Sequence, residues 1–137
     1  MTMTAEKVAN IIVNYANKEN KPITNLHLQK ILYFVWIDYF IKNDTHLFED
    51  NFEAWKLGPV VRSVYNKYCI YGSNDIPSID NTISKELFVF INKYLGESAS
   101  SLVNKSHKKN GAWDTVFKDG IGDKNIIPFD IIKQKCR

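Results

Sequence analysis

Cysteine is scarce in this chain: only Cys69 and Cys136 are present, far apart and without the paired spacing of a zinc site. With no apolar leader at the start of the sequence, both thiols are expected to be reduced and the protein cytoplasmic. Long hydrophobic runs are missing as well. The most apolar stretch, residues 26–41, is interrupted by His27, Gln29, Lys30 and Asp38. It is too short and too polar to cross about 30 Å of hydrocarbon, so no membrane partner is expected. Excess charge of one sign is lacking too. Eighteen Lys and Arg against fifteen Asp and Glu leave a net +3, too little to imply nucleic acid by itself. The three histidines, His27, His46 and His107, are not one helical turn apart, which removes the usual signal for a metal site. No Gly-x-Ser-x-Gly, phosphate loop or dinucleotide fingerprint occurs, so no cofactor is expected and catalysis is not indicated. Internal repeats and low-complexity blocks are also missing.

What remains is a chain of 137 residues with 45% hydrophobic and 13% aromatic content, enough to fold around one core. A single domain over residues 1–137 is expected. Helical periodicity dominates. Thr4 caps a first helix with Val8, Ile11, Ile12, Tyr15 and Ala16 on one face and Glu6, Asn10 and Asn14 on the polar side; Pro22 follows its end. Thr24 caps a second helix, about residues 25–42, with apolar residues on most sides, which implies burial on most sides. Further helices are expected from Pro59 to about Tyr71, after Ser84 up to Gly96, after Ser98 to about His107, as a short turn at Trp113–Phe117, and from Pro128 onward. Residues 73–82 read as an exposed loop. The fold class is therefore mainly α: a compact helical bundle around the central helix at about 25–42, with one short two-stranded β element pairing residues 52–56 with 124–127.

The least generic stretch is residues 52–68, an aromatic extended piece running through Gly58-Pro59 into a helix. Glu53 and Trp55 share one side of it. Gly58 tolerates backbone angles that other residues resist, and Pro59 suits a first helical position. Glu53 is expected to tie this segment to the start of the next helix, where negative charge is favoured. His107 is expected to be a hydrogen-bonded residue at a helix end, near Trp113. Lys105, Lys108 and Lys109 beside His107 form the densest basic cluster. A solvated helix end, where cations suit the dipole, is its simplest role.

Three blocks together resemble the Panacea domain family, which includes phage-associated GepA-like proteins and SocA-like antitoxins. They are residues 25–34 with Leu28-Gln29-Lys30 and Tyr33, residues 52–65 with Glu53-Ala54-Trp55 and Gly58-Pro59, and Ser106-His107 followed by Trp113. The family usually has Thr-His and Pro-Trp where this chain has Ser106-His107 and Ala112-Trp113. The resemblance implies an antitoxin that binds and neutralises a cognate protein toxin, in some relatives also handing it to a protease as an adaptor. It carries no catalytic residues. Leu28, Gln29, Lys30, Tyr33, Glu53, Trp55, Gly58, Pro59, His107 and Trp113 are implied as a motif framework, and Trp36, Arg62 and Tyr71 are the candidate anchors for a partner. A second reading is a phage-encoded modulator or inhibitor of a host nucleic-acid machine using the 105–109 cluster. A third is a hydrolase using Glu53 and His107.

Overall fold

A computed structural model of the protein describes residues 3–136. Helix α1 spans Ala5–Lys18, and Thr4 caps it by accepting from the Lys7 N–H. Helix α2 spans Asn25–Asn43, capped in the same way by Thr24 on the His27 N–H and closed at Asp44 in a left-handed conformation. Ser84 and Ser98 likewise cap α4 (Lys85–Leu95) and α5 (Ala99–Ser106). Between α2 and α4 lie strands β1 (Phe52–Trp55) and β2 (Gly58–Val60), helix α3 (Arg62–Tyr68) and a 3-10 turn at Cys69–Tyr71. Helix α6 (Ala112–Phe117), strand β3 (Ile126–Ile127) and helix α7 (Phe129–Lys135) complete the order.

The centre of the fold is α2, which packs against α1, α3, α4, α5 and β2. Leu28, Ile31, Leu32, Val35 and Trp36 are fully enclosed, as apolar residues on most sides of a helix lead one to expect. Tyr94 of α4 adds a hydroxyl donated to Asp38 of α2. Burial of each large aliphatic side chain contributes roughly 1.5–3 kcal/mol, so this helix is the main source of tertiary stability.

The small sheet is antiparallel, in the order β2-β1-β3, with Ala54 opposite Pro59 and Phe52 opposite Ile127. It therefore has three strands where two were expected. The additional strand is the Gly58–Val60 segment, and this also corrects the expected helix start: Pro59 lies in β2, and α3 begins only at Arg62. A proline tolerates an edge strand because its missing N–H need not serve the ladder.

The polar side of α1 also departs from expectation. Asn14 is buried, donating to Asp80 at 2.9 Å and to the Thr82 carbonyl at 2.7 Å. Asn10 reaches Asp80 at 3.0 Å, and Asn17 reaches the Ile76 carbonyl at 3.0 Å. These asparagines follow one face of α1 and clamp the 73–82 segment down, while Ile76 inserts into the core. The segment is solvent-facing along most of its length but anchored at these points.

Candidate partner-binding framework

The motif residues converge on the β1–β2 hairpin. From below, α2 satisfies the outer edge of β2. Lys30 is wholly buried and its Nζ donates to the Pro59 carbonyl at 2.7 Å. Gln29 accepts the Val61 N–H at 3.0 Å, and its own amide donates to Asn25 at 3.1 Å. Asn25 in turn donates to the Tyr65 carbonyl at 3.3 Å. One turn of α2 thus holds the joint between β2 and α3, whose preceding residue Val61 brings no capping side chain. Burial pushes the Lys30 amine down to about 7.

Gly58 is required twice over. Its φ of +112° is one that side chains with a Cβ resist, and a Cβ there would lie 2.6 Å from Ser106 Oγ and 3.1 Å from Lys30 Cε. Ser106, at the end of α5, is thereby packed against the hairpin.

The outer side of the hairpin is held by ions and rings. Glu53 accepts from Arg62 Nη2 at 2.8 Å and Nε at 3.0 Å, and from Trp55 Nε1 at 2.9 Å. Glu53 therefore ties the strand to the first residue of α3 through a side-chain fork. Burial is the largest influence on its carboxyl and opposes ionisation. The bonds from Arg62 and Trp55 together outweigh it and hold the group below its usual range. Trp55 also packs on Tyr65 at 4.8 Å, with Arg62 and Lys124 each within about 5.4 Å of its ring.

At the far end, Trp113 donates Nε1 to the Trp55 carbonyl at 2.7 Å. Its ring is stacked with His107 at 3.8 Å and with Phe117 at 4.6 Å. His107 closes α5, as the sequence indicated, but its Nε2 is buried without a hydrogen-bond partner. Burial, reinforced by the nearby Lys30, moves this imidazole below its ordinary value. Leu28 is core, and Tyr33 packs edge-on to Phe34 and Phe52, its hydroxyl pushed up chiefly by burial.

The candidate anchors separate. Trp36 is corrected outright: it is 0% exposed, donates Nε1 to the Phe48 carbonyl at 3.0 Å and stacks on Phe129, so no partner reaches it. Arg62 is half exposed but committed to Glu53. Tyr71 is partly buried against the core. In the basic cluster, Lys105 pairs with Glu97 at 2.5 Å, which removes one of its three lysine charges. Glu53 and His107 share no hydrogen bond, since Glu53 is engaged by Arg62 and Trp55 while His107 is stacked on Trp113. Sequence reasoning missed the roles of Asn25 and Ser106 here. The one-turn spacing of Asn25 and Gln29 was the signal available for the first.

Residues 28–89, the span holding α2 from Leu28 onward, the hairpin and α3, match the family model described as "Antitoxin SocA-like, Panacea domain". Over a longer stretch that includes this span, the chain is 30% identical over 135 residues to "Antitoxin SocA" of Caulobacter vibrioides (strain NA1000 / CB15N), covering 84% of this chain and 71% of the relative. The chain belongs to the SocA-like Panacea family. Ser106, His107 and Trp113 of this Panacea chain lie outside the matched span, yet Ser106 packs at Gly58, Trp113 is bonded to the Trp55 carbonyl and His107 is stacked on Trp113. No solved structure matches the chain. Among the described residues no helix is long and apolar enough to cross a membrane, and no group of His, Cys, Asp and Glu is placed to hold a metal ion.

Proposed function

We propose that the protein is an antitoxin that acts in the cytoplasm by direct, non-catalytic binding of a cognate protein toxin. The observation carrying this reading is the 30% identity to a protein named Antitoxin SocA across 84% of the chain. The framework is consistent with it, because its polar atoms, His107 Nε2 apart, are engaged with one another and leave a stiff surface suited to docking. Binding of ordinary size would bury about 1,200–2,000 Å² in total around a few anchors. Arg62 and Tyr71 stay in place as candidate anchors, and transfer of the bound toxin to a protease is an additional step compatible with the same contact.

The test is co-expression with the product of the adjacent gene. A copurifying complex together with relief of growth inhibition is the expected result. Neither complex nor relief would refute the reading. The nucleic-acid alternative predicts salt-dependent retention on DNA or RNA that weakens when Lys105, Lys108 and Lys109 are changed together.

A further inference from the structure

A groove of about 510 Å³ runs beside the hairpin, between the first turn of α2 and the outer side of α3. Its walls carry Leu26, Leu57 and Tyr65, which remain 36%, 50% and 37% exposed, so substantial apolar surface faces water there. Trp55 and Cys69 also line it. The floor does not yield easily, because Gln29 and Lys30 are bonded to Val61 and Pro59. A stiff groove loses little freedom when filled. Among the described residues that line it are two lysines, Lys30 below and the exposed Lys56 on the rim, and no Asp or Glu.

We propose that this groove receives an apolar segment of the toxin flanked by acidic side chains, whose carboxylates meet Lys56 at the rim. The inference rests on the antitoxin reading and locates its contact surface. Charge complementarity selects this occupant over two others. A symmetric pairing with a second copy would bring two copies of the same patch together, and its lining has no Asp or Glu to offer Lys56. Nucleic acid binding draws on several converging cations, whereas here one exposed lysine borders apolar walls.

The experiment uses the full chain with the adjacent gene's product. Cys69 is an exposed thiol in the groove wall, so its alkylation by iodoacetamide, read by peptide mass spectrometry, reports occupancy. In the complex its rate is expected to fall about tenfold, as burial of a reactive side chain dictates. Lys56→Glu is expected to weaken the complex about tenfold, mainly through slower, more salt-sensitive association, whereas Lys85→Glu on α4 leaves it unchanged. Leu57→Asp tests the apolar wall separately and should also weaken binding. A stable complex with unchanged Cys69 reactivity and unchanged affinity in Lys56→Glu and Leu57→Asp would overturn the groove assignment while leaving the antitoxin reading standing. Absence of any complex overturns both. Cys69 protection that rises with concentration in the toxin-free protein, or on addition of DNA or RNA, assigns the groove to a second copy or to nucleic acid and likewise overturns the proposal.

Discussion

The buried Lys30 amine gives the protein a pH dependence that can be worked out from its surroundings. An unfolded lysine titrates near 10.5, whereas burial in the fold lowers this one to about 7. Below pH 7 the amine is protonated in both states, and the folded state carries the full penalty of an enclosed ammonium. Above pH 7 the folded state releases its proton while the unfolded chain keeps it until pH 10.5. The unfolded state then binds more protons, so stability rises with pH, by about 1.4 kcal/mol per unit within that window. From pH 7 to pH 9 the expected gain is about 2 kcal/mol. The other groups that burial displaces fall outside this window: His27 and His107 are moved below 6.5, and the hydroxyls of Tyr33, Tyr68 and Tyr94 are moved above 10. Lys30→Met keeps the aliphatic stem and removes the titration, so its stability should be flat over the same interval. At pH 9 the variant should be weaker by about 1–3 kcal/mol, because the Pro59 carbonyl loses its donor. As pH falls to 7 the two curves should converge or cross. Urea denaturation of both proteins at pH 7, 8 and 9 measures this, and parallel pH profiles would refute the reasoning.

Gly58→Ala should destabilise by about 2–3 kcal/mol, the range for a strained backbone combined with a clash. Adding Ser106→Ala should recover only part of it, since the contact is relieved and the φ of +112° is not; urea melts of the three variants separate the two effects. Trp113→Phe keeps a ring to stack on His107 but strands the Trp55 carbonyl, with an expected loss of about 1–3 kcal/mol by the same assay. Asp80→Ala should release the 73–82 segment, seen as faster hydrogen exchange at the Ile76 N–H, which donates to the Ile23 carbonyl. In the wild type, bonds from Thr82, Asn14 and Asn10 hold the Asp80 carboxyl at about 2. Its contribution is therefore present above the ordinary carboxylate value near 3.8 and fades as pH falls toward 2, a decline that Asp80→Ala should lack.

Elements whose signals are local were legible in the sequence. Thr4, Thr24, Ser84 and Ser98 cap their helices with bonds spanning three residues, which a linear reading captures. The central helix was legible because apolar residues occupy most of its sides. What escaped depends on partners distant in the chain. Gly-Pro-Val suits a helix start or an edge strand equally well, and the choice is made by Ala54 across the hairpin and by Gln29 and Lys30 beneath it. Asn14 looked like a solvated position until Asp80 came down on it, and Trp36 resembled an interface tryptophan although Phe48 and Phe129 enclose it.

The same long-range bonds bear on where a partner attaches. Lys30 is engaged by Pro59, Gln29 by Val61 and Asn25, Glu53 by Arg62 and Trp55, and Trp113 by the Trp55 carbonyl. A toxin that bonded to these groups would first have to break the hairpin's own supports, and freeing the enclosed pairs Lys30–Pro59 and Gln29–Val61 would strand buried polar atoms at about 1–3 kcal/mol each. Leu26, Leu57 and Tyr65 carry no such penalty, because their apolar surface already faces water and gains from being covered. On the antitoxin reading, recognition therefore centres on the groove walls, with Arg62 and Tyr71 as further candidate anchors outside them, while the motif residues fix their shape. Substitutions in the walls should alter which toxin is bound with little loss of stability, whereas substitutions in the motif should unfold the hairpin before they alter the choice of partner.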